Sequence, residues 1–155
     1  MSEENEGLVM SYLDELGVSS VIRNRVLEIE DYYITTLPGR ALTRVYVSET
    51  VDDEGQRILE NLWFFFEDIW CEAHNFQVED KFDITRMDEI SYIVSERHEY
   101  KTGVATTRSR LAVNFKIGST NMGMLKASGE NCNTLSSITT ELLLPRVTGV
   151  VFPRG

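Results

Sequence analysis

The stretch LENLWFFFEDIWCEAHNF, Leu59 to Phe76, places six large aromatic residues within eighteen positions: Trp63, Phe64, Phe65, Phe66, Trp70 and Phe76. A membrane-spanning helix needs roughly 18 or more apolar residues in a row, and Glu67-Asp68 interrupts this run. It reads instead as two strands about a tight connection at Glu67-Asp68. Side chains alternate along a strand, so Trp63 and Phe65 share one face while Leu62, Phe64 and Phe66 share the other. On the second strand the same period groups Trp70, Glu72, His74 and Phe76. A strand that is apolar on both faces needs both faces covered. Each fully buried large side chain contributes roughly 1.5–3 kcal/mol, so three left in water would forgo a sum comparable with a domain's net stability. The cover is either the protein itself or a partner, which leaves Trp63, Phe65 and Trp70 as core or as a docking surface.

Composition narrows the class. A chain of 155 residues with 42 % hydrophobic content suits one folded domain. The opening MSEENEG is acidic and polar, the reverse of a secretory signal, and the two cysteines, Cys71 and Cys132, are too few for a disulfide framework. A cytoplasmic setting without membrane association is therefore expected. The net charge of −10 is uneven: residues 1–80 carry 18 acids against 5 bases, and residues 81–155 carry 7 against 10. Phosphate contacts need a positive field, so the acidic balance argues against nucleic-acid or anionic-membrane binding.

Along the chain, Leu8, Val9, Tyr12, Leu13 and Leu16 recur at helical spacing up to Gly17. A second helix is predicted from a Ser19 or Ser20 cap through Ile22, Val26, Ile29 and Tyr33. Beyond Pro38-Gly39 the period changes to that of strands: Ala41–Val51, a DDEG turn, the aromatic pair, and Asp83–Tyr100 as one long strand or two short ones. KTGVATTRS, Lys101 to Ser109, reads as a polar loop. RLAVNFKIG then alternates cleanly and pairs with NMGMLKASG across residues 118–120. Last, NCNTLSSITTELLL carries Leu135, Ile138 and Leu142 at helical steps, with Asn131 or Asn133 as cap and Pro145 as terminator.

The order of these elements, with FDITRMDEI entering a strand, RLAVNFKIG…NMGMLKASG as the last hairpin and NCNTLSSITTELLL as the closing helix, resembles the pleckstrin-homology-like superfold, GRAM-type versions included. The resemblance covers about 105 residues from Ala41 and implies an antiparallel β barrel or sandwich of about six to seven strands closed by a C-terminal helix. With the short helical pair read from the spacing, the expected fold is α+β, with a helical pair over residues 1–38, a PH-like β domain over 39–146 and an apolar tail over 147–155, the pair and the tail lying outside the resemblance. The resemblance also implies a rigid binding scaffold without chemistry of its own. The basic patch of phosphoinositide-binding members falls here on the acidic SETVDDEGQR.

Catalytic and metal signatures are weak. Cys71 and His74 form a C-x-x-H spacing, but on a strand they point to opposite faces, and structural zinc wants four suitable ligands. No nucleophile elbow, P-loop, H-E-x-x-H or dinucleotide fingerprint is present. The paired acids at Asp52-Asp53, Glu67-Asp68, Glu79-Asp80 and Asp88-Glu89 read as turn and solubilising groups. No enzyme activity, cofactor or metal is expected.

Two features suggest contacts. SERHEYKTGVATTRSR places Arg97, His98, Lys101, Arg108 and Arg110 in one strand-loop-strand unit suited to an anion or an acidic partner segment. The tail VTGVVFPRG carries Val151 and Phe152, apolar residues that either return as an edge strand or dock elsewhere. The expected function is a non-catalytic interaction module whose partner is another protein, a second copy of the chain included. An acidic inhibitor or immunity-type protein, blocking a basic active site or nucleic-acid channel, is the alternative. A small-molecule-binding barrel with an aromatic lining is the third reading.

Overall fold

A computed structural model describes residues 3–86, 90–102, 106–117 and 121–147, with backbone alone at 3–6, 98–102, 106–109 and 121. The chain divides into two compact units, Met1–Met87 and Asp88–Gly155.

The first unit begins with helices α1 (Glu3–Leu16) and α2 (Ser20–Thr36). Gly17 ends α1 at φ 71°, a left-handed conformation that glycine adopts without steric cost. Ser19 caps α2, its side chain accepting from the Ile22 amide at 3.4 Å. Four strands follow, β1 (Leu42–Val51), β2 (Arg57–Phe66), β3 (Ile69–His74) and β4 (Lys81–Arg86), in an antiparallel sheet of order β1-β2-β3-β4. The DDEG turn forms as expected: Asp52 Oδ1 accepts from the amides of Glu54 at 2.9 Å and Gln56 at 2.8 Å.

Strand β2 is the spine of this sheet. Phe64 pairs with Val45 on one side and Cys71 on the other, and Phe65 pairs with Arg44 and Trp70. All five residues from Leu62 to Phe66 are buried. On one face Tyr33 of α2 sets its ring 5.7 Å from Phe64 and 5.8 Å from Phe82. On the other, Trp63 stacks on Phe65 at 5.9 Å and Phe65 meets Trp70 edge-on at 5.6 Å. The outer strand β1 is guarded by α1, since the Val47 amide donates to the Tyr12 hydroxyl at 2.9 Å. Where β2 bulges at Glu60, opposite Ser48 and Glu49, the buried Glu49 carboxylate pairs with Arg57. Arg57 also donates to the Leu16 carbonyl at 2.6 Å, satisfying the end of α1.

Arg25, which falls off the apolar stripe of α2, ties that helix to the turn after β3. Its Nε donates to the Phe76 carbonyl at 2.7 Å, and its Nη2 to the Glu79 carbonyl at 2.9 Å and Asp80 at 2.5 Å. The guanidinium also lies 5.9 Å from the centre of the Phe82 ring. The strand period that grouped Phe76 with His74 stops two residues early. β3 ends at His74, Asn75 adopts φ 45°, and Phe76 is buried within the turn.

The second unit holds β5 (Ile90–Thr102), β6 (Thr106–Ile117) and β7 (Asn121–Ser128) in an antiparallel sheet of order β5-β6-β7. The stretch from Asp83 to Tyr100 is thus two strands belonging to two sheets, and the loop expected over 101–109 is shorter because β5 and β6 extend into it. Leu111, Val113, Phe115 and Ile117 are buried as the alternation requires. Gly123 pairs with Phe115, whose ring occupies the space of the missing side chain: a Cβ there would sit 2.2 Å from the ring.

Helix α3 (Asn131–Ile138) lacks the asparagine cap read from the sequence, as its cap position is Glu130 with no side-chain hydrogen bond. It continues as a π turn over Thr139–Leu143 and a 3-10 turn over Leu144–Arg146 containing Pro145. The wider π turn rotates the buried stripe by one residue, so Leu143 joins Leu135 and Ile138 in the core while Leu142 is half-buried. Among the described residues the fold is α+β, with seven strands in two antiparallel sheets and a helix near the C-terminus. Among the described residues no helix is long and apolar enough to cross a membrane.

The Arg25 fork generates a stability prediction. Its two partner carboxylates are exposed and contribute little, so the carbonyl bonds dominate. Arg25→Met keeps the alkyl packing and is expected to lower stability by about 2 kcal/mol in urea unfolding. Arg25→Lys is expected to recover less than half, because a single ammonium cannot span these acceptors.

Candidate functional site

The β3–β4 ladder pairs Glu72 with Asp83 and His74 with Lys81. Glu72 and His74 are two residues apart on β3, so their side chains and that of Asp83 share one face. Two carboxylates directly opposed across strands repel. His74 lies between them, its Nε2 2.6 Å from Asp83 Oδ2 and 3.5 Å from Glu72 Oε1. One ligand atom from each of the three lies within 4.8 Å of the others.

The position of Glu72 is set from β2. Asn61 Nδ2 donates to Glu72 Oε2 at 2.9 Å, and Asn61 Oδ1 accepts from the Asn75 amide at 2.9 Å. The turn backbone therefore orients Asn61, and Asn61 orients the carboxylate. Exposure is graded across the cluster: the side chains of Glu72, His74 and Asp83 are 16 %, 28 % and 51 % accessible.

Burial is also the main electrostatic influence. Glu72 pairs with Trp63 and lies two residues from Trp70 on the same face. Desolvation pushes its carboxyl up from 4.5 to about 6; nearby Asp83 acts in the same direction, while His74, Asn61 and Lys81 oppose it. Tyr33, whose hydroxyl donates to the Asp83 carbonyl at 3.3 Å, is raised far above the ordinary phenol range by burial. Burial likewise pushes the Cys71 thiol up to about 12, which keeps it protonated and inert at neutral pH. Cys71 pairs with Phe64 and Ile84, out of phase with His74, so the C-x-x-H spacing does not converge.

The sequence-predicted contact residues fall in varied places. Trp63, Phe65 and Trp70 are core, with 3 %, 0 % and 2 % exposure. Arg97 is exposed and donates to Ser136 of α3 at 3.1 Å. The ladder pairs His98 with Arg110, Tyr100 with Arg108 and Lys101 with Thr107. Arg110 is half-buried, whereas the side chains of His98, Lys101 and Arg108 lie outside the described residues, as do Val151 and Phe152.

Two groupings escaped the sequence reading. Glu72-x-His74 was visible as one strand face, but joining Asp83 to it requires the β3–β4 register. On the second sheet Tyr92, Met122 and Met124 are 51 %, 67 % and 46 % exposed; the alternation of Asn121–Ser128 held that signal, since Leu125 and Ala127 point inward and the two methionines outward. Chemically, the Glu72–His74–Asp83 cluster can bind a cation or exchange a proton with solvent.

Because the folded-state value of Glu72 lies above its unfolded value, the protonated form is favoured in the folded chain. That contribution is complete below about pH 4.5 and is lost as pH rises through about 6. In urea unfolding with a chelator present, wild type is expected to lose stability between pH 4.5 and 7 relative to Glu72→Gln, which keeps an acceptor for Asn61. Parallel pH profiles for the two proteins would contradict this.

Compared with family models, curated proteins and solved structures, the chain matches none, so the role of these residues rests on their own geometry.

Proposed function

We propose that the protein is a non-catalytic protein-interaction module, built on a PH-like arrangement of two antiparallel sheets and a closing helix. The observation supporting this reading is the outward face of β5-β6-β7. There Tyr92, Lys116 and Met122 lie in one row across the sheet, and Val94, Asn114 and Met124 in the next. The solvated side of an antiparallel sheet is ordinarily polar. Here three large apolar side chains are exposed beside a lysine, while on the opposite side the alternate residues of β6 and β7 from Leu111 to Ile117 and from Gly123 to Ala127 are buried. Methionine is unbranched and polarisable, and adapts to a partner's contours at little cost. Lys116, between Tyr92 and Met122, suits a partner segment that places a carboxylate among apolar side chains.

The acidic first half supports a second reading, an inhibitor that covers a basic site, since residues 1–80 carry 18 acids against 5 bases. Salt separates the two: a charge-driven complex weakens steeply with ionic strength, and a methionine-anchored one does not.

A photo-crosslinking residue at position 122 is expected to capture a discrete partner in the native host, while the same residue at Val78, which is 75 % exposed, captures none. Tyr92→Glu with Met122→Glu is expected to weaken the purified complex by about tenfold or more, equivalent to about 1.4 kcal/mol. Equal capture at both positions, or undiminished affinity in the double variant with its thermal unfolding unchanged, would contradict the proposal.

A further inference from the structure

We infer that Glu72, His74 and Asp83 form a binding site for a first-row divalent transition-metal cation, of the class of Zn2+ or Mn2+, on the β3–β4 face of the first unit. The donor set is one imidazole nitrogen and two carboxylate oxygens. Imidazole suits the first-row divalent ions over Mg2+ and Ca2+, which prefer oxygen shells.

Spacing agrees with the chemistry. Bonds of about 2.0–2.2 Å to nitrogen and oxygen put adjacent donors at right angles about 3 Å apart. The two separations from His74 Nε2, 2.6 Å and 3.5 Å, bracket that figure. For the two pairs that include His74 Nε2 an entering ion requires adjustments of about half an ångström, and the Glu72 and Asp83 oxygens lie within 4.8 Å of each other. The strands themselves are fixed: β3 is an interior strand, and six consecutive cross-strand pairs hold β4 to it.

The surroundings support the ion. Asn61 donates to the Glu72 oxygen Oε2, leaving Oε1 turned toward His74; hydrogen-bonded outer partners of this kind orient metal ligands. Two carboxylates face each other across the ladder, and one imidazole supplies at most a single positive charge between them. A divalent ion brings two positive charges to the pair. Lys81, paired with His74 on β4, is exposed, and its long stem lets the ammonium move aside. The rise in exposure from Glu72 to Asp83 leaves an open side, where water completes the coordination. The buried Cys71 pairs with Phe64 and Ile84, out of phase with the three ligands, and takes no part.

The His74–Asp83 hydrogen bond and the nearby Glu72 carboxylate already hold the three groups together, so the test must separate ion binding from this contact. ZnCl2 and, separately, MnCl2 are titrated calorimetrically into the full chain, and the ring signals of its two histidines are followed by NMR during the zinc titration. One equivalent is expected to bind at least one of the ions, with His74 shifting on zinc and His98 unmoved. His74→Gln and Asp83→Asn are each expected to abolish stoichiometric binding. Asn61→Ala, which leaves all three ligands in place but removes the group orienting Glu72, is expected to weaken it about 10–100-fold. His98→Ala is expected to leave it intact. Asp83 is half exposed, so Asp83→Asn keeps the test decisive if His74→Gln fails to fold. Absence of saturable binding for both ions, binding undiminished in Asp83→Asn, or binding lost in His98→Ala would overturn the inference.

Discussion

The packing of the first unit depends on a strand with no solvent side. From Leu62 to Phe66 every residue of β2 is buried, so neighbours are needed on both faces and both edges. The edges are met by β1 and β3, and Tyr33 meets one face through Phe64. On the other face the rings of Trp63, Phe65 and Trp70 pack on one another. The remaining polar contacts serve this arrangement. Tyr12 guards the outer strand, Arg57 joins the bulge to the end of α1, and Arg25 fixes the β3–β4 turn to α2.

The candidate cation site is a consequence of that spine. β3 must lie against β2, and its alternation carries Trp70 into the aromatic cluster and then Glu72 and His74 toward the strand end. Glu72 consequently borders two tryptophans, which accounts for its raised affinity for a proton. The second unit follows a simpler rule: β6 alternates strictly, α3 packs against β6 and β7 with Leu135 and Ile138 buried, and one sheet face carries the exposed Tyr92, Met122 and Met124.

Much of the architecture was legible because it is periodic. The helical stripe ending at Tyr33, the glycine stop at Gly17 and the alternation of Leu111–Ile117 all describe one-dimensional patterns that packing did not override. What failed depended on local geometry or on register. Phe76 left the strand pattern because Asn75 turns the chain, and Leu142 ceded its place to Leu143 because the helix widens into a π turn. Asp83 joined Glu72 and His74 only through cross-strand pairing, which no single segment encodes. The candidate docking role of Trp63, Phe65 and Trp70 turned on what covers a strand face, a question alternation raises without answering.

Native-state hydrogen exchange, read amide by amide, tests most directly whether β2 is the element on which the first unit depends. The slowest amides within residues 1–87 are expected in Leu62–Phe66 and their partners on β1 and β3, exchanging only when the whole unit unfolds. Exchange of these amides at rates matching helices α1 and α2, with protection concentrated elsewhere in the unit, would contradict the account.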